Sequence, residues 1–119
     1  MTAVTMYHNP RCSKSRQTLS LLEQHGIIPD IVEYLKTPPT EAELKGILEK
    51  LRMKPRDLMR KKEEPYKTLG LDDESLSDDR LIKAMVENPI LIERPIVVGE
   101  YGAKIGRPPE DVLDLFNEW

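Results

Sequence analysis

Residues 4–16, Val4-Thr5-Met6-Tyr7-His8-Asn9-Pro10-Arg11-Cys12-Ser13-Lys14-Ser15-Arg16, decide how the rest of the chain must fold. The apolar residues Ala3, Val4, Met6 and Tyr7 read as a strand, a polar and basic loop follows, and a helical pattern begins near Ser13. The chain's one cysteine therefore stands at a strand-to-helix turn. A thiol there meets unpaired backbone N–H groups and the positive end of the helix dipole, with Arg11, Lys14 and Arg16 close in sequence. All of these favour the thiolate, and the same N–H groups can receive an oxyanion. A lone cysteine can also be a small buried hydrophobe. The basic loop favours a nucleophile instead.

Working outward, Leu19, Leu21 and Leu22 carry the first helix toward a stop at Gly26, with His25 placed to favour the dipole at its end. The alternation from Ile28 to Tyr34 predicts a second strand, buried on at least one face. Strand, helix and strand make a right-handed βαβ unit with parallel strands, and ligands gather at the carboxyl ends of such strands, where the Cys12 loop lies. Thr40 and Glu43 form a capping box for a helix that presents Leu44, Ile47, Leu48 and Leu51. Pro55 starts a short helix through Leu58 and Met59, and 61–77 reads as polar loop with some short helix and a solvated charged face. Ser77 caps a helix over 78–87 with Leu81, Ile82, Met85 and Val86 as its apolar stripe, ended by Asn88-Pro89.

In Ile90-Leu91-Ile92-Glu93-Arg94-Pro95-Ile96-Val97-Val98 the proline removes a ladder donor, so Pro95 begins the strand Ile96–Val98. A turn over 99–102 leads to a hairpin arm at Ala103–Ile105. Gly106-Arg107-Pro108-Pro109 breaks that strand, and Pro109 opens a final amphipathic helix with Val112, Leu113, Leu115 and Phe116. The expected class is α/β. Its order, β-α-β, a helical insertion, then β-β-α, is that of a thioredoxin-like (glutaredoxin-like) mixed sheet flanked by helices. Residues 1–119 are expected to form a single domain of this kind.

Composition narrows the function classes. One cysteine excludes an internal disulfide, and with only His8 and His25 a metal site is not expected. A net charge of −3 with mixed signs argues against nucleic acid as a partner. No apolar run approaches the about 20 residues that span a bilayer, and no leader pattern is evident, so the cytoplasm is the expected location. A monomer is the simplest expectation.

Several stretches together resemble the glutaredoxin-dependent arsenate reductase family: His8-Asn9-Pro10-x-Cys12-x-x-Ser15-Arg16, Tyr34-Leu35-x-Thr37-Pro38, Leu58-x-Arg60-x-x-Glu63-x-x-Tyr66, Asp79-x-Leu81-Ile82-x-x-Met85, Asn88-Pro89-Ile90-Leu91-Ile92-x-Arg94-Pro95-Ile96-Val97-Val98 and Arg107-Pro108. They run the length of the chain in the family's order. The resemblance implies a thioredoxin-fold enzyme that reduces arsenate to arsenite, with Cys12 as nucleophile, Arg60, Arg94 and Arg107 on the oxyanion, and Pro95 as a cis-proline facing the cysteine. It implies no bound cofactor, with glutathione as co-substrate and glutaredoxin as partner. Guanidinium groups suit this substrate because they bind tetrahedral oxyanions through paired, charge-assisted hydrogen bonds.

Other residues stand open to two readings. Ser15 occupies the place where dithiol relatives of the fold carry a second cysteine; its hydroxyl either supports the thiolate or satisfies the helix's first turn. His8 either lowers the Cys12 pKa or makes a local bond. Arg60-Lys61-Lys62 is also an ordinary solvated cationic run. Two alternatives to arsenate reduction are a glutaredoxin-linked reductase of another oxyanion or mixed disulfide, and a non-enzymatic redox regulator that binds RNA polymerase.

Overall fold

Four strands of three residues each form one mixed sheet in the computed structural model, which describes residues 3–100 and 102–116. The strands are β1 (Thr5–Tyr7), β2 (Asp30–Val32), β3 (Ile96–Val98) and β4 (Ala103–Ile105), in the spatial order β2-β1-β3-β4. β2 runs parallel to β1, with Met6 opposite Ile31; β3 is antiparallel to β1, with Met6 opposite Val97, and β4 closes a hairpin on β3. The turn of that hairpin contains Tyr101, which lies outside the described residues.

The chain gathers into two units, one made of Met1–Thr37 with Arg94–Trp119 and the other of Pro38–Glu93. In the first, helix α1 (Ser13–Gln24) follows β1, and Gly26 at φ 76° turns the chain out of it, a left-handed conformation that favours glycine. Val4 and Met6 of the β1 segment, Val97 of β3, Leu22 of α1 and Val112 of the C-terminal helix bury one another, with Leu19, Ile27, Leu115 and Phe116 packed around them. Each fully buried aliphatic side chain of this kind stabilises the fold by about 1.5–3 kcal/mol.

Two expectations change here. The second strand is only three residues long and sits at the sheet edge, with Ile28 86% and Ile31 43% exposed, so the expected buried face is absent along most of it. Alternation in sequence marks two faces of a strand but does not reveal whether another element packs over either of them. The final helix, Pro109–Phe116, is wound as 3₁₀ rather than α. Val112 and Leu115, three residues apart, then lie on one line toward α1 and β4.

The second unit is helical. Helices α2 (Glu41–Leu51), α3 (Pro55–Leu58), α4 (Glu64–Thr68) and α5 (Asp78–Glu87) bury Leu44, Leu58, Leu81 and Met85 completely or nearly so. The capping box at α2 is closed in both directions: the Glu43 N–H donates to Thr40 Oγ1 at 3.1 Å, and the Thr40 N–H to Glu43 Oε1 at 2.9 Å. Ser77 caps α5 by accepting from the Arg80 N–H. The segment over 61–77 is anchored more firmly than a solvated loop, because Tyr66 and Leu71 are buried. Arg56 of α3 also donates to Tyr66 Oη and to the carbonyls of Leu71 and Asp73, at 2.7–2.9 Å.

Candidate active site

Cys12 is the N-cap residue of α1, with extended backbone angles (φ −92°, ψ 123°) that leave the first turn's N–H groups facing its side chain. The preceding turn is closed by the Cys12 N–H donating to the Asn9 carbonyl at 3.0 Å. The sulfur is partly exposed. Burial, the largest single influence, pushes the thiol pKa up, but the Ser15 N–H, the Arg94 guanidinium and the Lys14 N–H together outweigh it and hold Cys12 below the usual cysteine value. A larger share of the sulfur is therefore thiolate at a given pH than in an ordinary cysteine.

Two arginines reach that sulfur from the far end of the sequence. Arg107 Nη2 lies 3.5 Å from Cys12 Sγ, while its Nε donates to the Arg94 carbonyl at 2.7 Å. Arg94 precedes β3, and its guanidinium acts on the thiolate directly. Although burial works the other way, the contacts of Arg94 with Cys12 and with Tyr34 raise its pKa further, so it is a permanent cation. The Arg94–Pro95 peptide bond is cis, as is Arg107–Pro108. Gly106 makes this approach possible: a Cβ there would run into Thr18 Oγ1 of α1 and come within 2.9 Å of Pro95 Cγ. The Gly106 N–H donates to the Pro95 carbonyl at 3.0 Å, which ties the loop carrying Arg107 to the start of β3.

Ser15 is fully buried, and its hydroxyl oxygen takes the Asn9 N–H at 3.0 Å and meets His8 Nδ1 at 2.7 Å. His8 thus connects to Cys12 through Ser15, whose own N–H faces the sulfur. Burial keeps the His8 pKa below the usual imidazole value; Glu33 pulls it back up and Arg16 adds to the lowering, and the net result is a neutral ring at pH 7. His8 therefore does not supply a positive charge to the thiolate at that pH.

Arg60 belongs to the second unit. Its Nη1 donates to Glu93 Oε1 at 2.6 Å and its Nε to Glu63 Oε2 at 3.3 Å, with only 22% of the side chain exposed. It is neither a solvated cation nor an unbalanced one. Among the described residues no group of three His, Cys, Asp or Glu side chains could hold a metal ion, and no helix is long and apolar enough to cross a membrane.

Sequence reasoning missed the site roles of Tyr34, Thr18 and Gly106. Tyr34 reads as a strand residue and as the start of the Tyr34-Leu35-x-Thr37-Pro38 stretch, with no role assigned, yet it is 1% exposed beside Arg94. Gly106 read as a strand breaker, and only the packing of α1 against Pro95 reveals its steric demand.

A family model described as the ArsC family matches residues 7–115, from the end of β1 to the C-terminal helix. The chain belongs to the ArsC family. Among the ArsC relatives, the "Arsenate reductase" of Neisseria meningitidis serogroup A is 49% identical over 94% of this chain and 97% of its own length. The "Uncharacterized protein YfgD" of Escherichia coli (strain K12) is 57% identical over 94% of this chain and 95% of its own. The solved structure titled "Arsenate reductase from Vibrio cholerae" is 54% identical, covers 95% of this chain and 97% of its own, and superposes with a TM-score of 0.92. The mixed sheet with its helices is the thioredoxin-like fold of these ArsC structures.

Proposed function

We propose that this protein is an arsenate reductase in which Cys12 is the nucleophile, Arg94 and Arg107 hold the oxyanion, and glutathione with glutaredoxin supplies the electrons. The observation that carries the reading is the placement of Arg107 Nη2 3.5 Å from Cys12 Sγ, with Arg94 acting on the same sulfur at the head of α1. The names of the ArsC relatives support the substrate.

In the first step the Cys12 thiolate attacks arsenic(V) and an arsenate hydroxyl, taking a proton from solvent, leaves as water, so that a sulfur–arsenic bond replaces an arsenic–oxygen bond. The two guanidinium groups and the α1 N–H groups offset the charge on the remaining oxygens. In the second, a glutathione thiolate attacks Cys12 Sγ. A sulfur–sulfur bond forms, the sulfur–arsenic bond breaks, and its electron pair leaves with arsenic, which becomes arsenite and takes up from solvent the proton that the glutathione thiol lost on ionising. Glutaredoxin then removes glutathione from Cys12 by thiol–disulfide exchange. An outside thiol is required because these 119 residues contain one cysteine. Arg60 is the weaker of the three arginine candidates, since Glu63 and Glu93 already balance its charge. Ser15 and His8 act as positioning residues through the bonds that hold the Cys12 loop.

The test is a coupled assay with arsenate, glutathione, glutaredoxin, its reductase and NADPH. The expected result is NADPH loss that requires every component; NADPH loss that does not depend on arsenate would overturn the reading.

A further inference from the structure

The second step needs a place for glutathione beside Cys12, and a cleft in the first unit, on the side of the Cys12 loop that faces β2, is a candidate. It has a volume of about 300 Å³ and lies between the loop 8–11 and the segment that follows β2, lined there by Glu33, Leu35 and Lys36. Its size is at the lower end of cavities that take small molecules. Arg11 lines it and is joined directly to Cys12 in the chain, so the cleft borders the loop that carries the nucleophile.

The lining has a distinct charge pattern. Arg11 and Lys36 are exposed cations, Glu33 is the single acid, and Leu35, 41% exposed, supplies an apolar wall. Lys36 and Glu33 pair loosely with each other at 3.6 Å, with side chains 80% and 43% exposed. Exposed pairs of this kind contribute little, so exchanging them for ligand contacts costs little. Two cations and one anion around an apolar patch complement a molecule with two carboxylates and one ammonium group. Glutathione has that set: a glycyl carboxylate, and a γ-glutamyl end carrying a carboxylate and an ammonium, with the thiol between them.

We propose that this cleft is the glutathione site, with Arg11 and Lys36 on the carboxylates and Glu33 on the ammonium, so that the central thiol is delivered to Cys12. The proposal rests on the reductase reading for its chemistry, which is the second step given above. Its geometry can be tested without arsenate.

The probe is S-methylglutathione, which cannot react, titrated into the isotope-labelled protein and followed by amide NMR. Saturable shifts are expected at Asn9, Arg11 and 33–36. Lys36→Glu should weaken this binding about threefold to tenfold, the range for losing and reversing one exposed charge contact. Lys104→Glu makes the same charge change on β4, at the opposite edge of the sheet, and should leave it unchanged. The same ranking is expected for the glutathione KM in the coupled assay, with kcat retained. Shifts that are absent or map elsewhere, or equal weakening by both variants, would overturn the site. Arsenate turnover with no cleft shifts leaves the reductase reading standing without this site, whereas cleft shifts without arsenate turnover leave the thiol site standing and remove arsenate as its substrate.

Discussion

Arginine is used in opposite ways in the two units. In the first, Arg94 and Arg107 turn toward one sulfur, and their positive charge is directed at a group that becomes an anion. In the second, Arg60 is equally fixed in place, but two carboxylates take up its charge, Glu93 at 2.6 Å and Glu63 at 3.3 Å. The residue type is the same and the electrostatic result is not. What differs is which partners the fold brings within reach, since a cation beside a thiol at a helix N-terminus lowers that thiol's pKa and keeps field to spare for an oxyanion. A cation enclosed by acids mainly holds the structure together.

The largest expected effect is that of Cys12→Ser, which should reduce arsenate turnover to background while thermal melting and the circular dichroism spectrum stay close to those of the parent; retained turnover would remove the sulfur from the centre of the comparison. Next come Arg94→Ala and Arg107→Ala. Each deletes a charge-assisted partner of about 1.5–3 kcal/mol, so sulfate or arsenate affinity by calorimetry should fall roughly tenfold to a hundredfold with little loss of stability. Unchanged affinity in both would end the oxyanion assignment.

The pH dependence gives a sharper version of the same test. The Cys12 pKa is held below that of an ordinary cysteine, so the rate of alkylation by iodoacetamide should reach half its plateau at a lower pH than for a model thiol. Arg94→Ala removes one of the lowering influences and should move that midpoint upward.

Ser15→Ala strands the Asn9 N–H and a buried imidazole nitrogen, and urea unfolding should show a loss of about 1–3 kcal/mol. The smallest effect belongs to Arg60→Ala, expected to lower stability by about 1 kcal/mol and to weaken sulfate binding less than Arg94→Ala does. A loss of affinity equal to that of Arg94→Ala would break the comparison.

Much of the fold was legible because local chemistry and global packing agree. The Thr40–Glu43 box, the Ser77 cap, the stop at Gly26 and the break at Asn88-Pro89 are local events, and each helix boundary falls where they place it. β3 and its hairpin partner were likewise readable from Pro95 and the glycines that follow. The errors are of another kind. β2 has less buried face than its alternation predicts, because alternation carries no information on whether another element packs over that face. The C-terminal helix was read as α, although the choice between α and 3₁₀ there goes with how Val112 and Leu115 meet the sheet unit.

The candidate site divides along the same line. By itself the sequence determined that the one cysteine stands at a strand-to-helix turn among basic neighbours, since that depends only on Cys12, Arg11, Lys14, Arg16 and the helix start at Ser13. It also determined that these 119 residues hold no second cysteine with which Cys12 could form a disulfide. Only the tertiary structure decided that Arg94 and Arg107 face the sulfur, that burial lowers the His8 pKa and Ser15 links His8 to the site, that Tyr34 backs Arg94, and that Gly106 has no room for a side chain. Helix dipoles, caps and thiol chemistry act over a few residues and can be read locally. The state of a charge depends on groups such as Cys12 and Arg107, far apart in sequence and adjacent only after the sheet has formed.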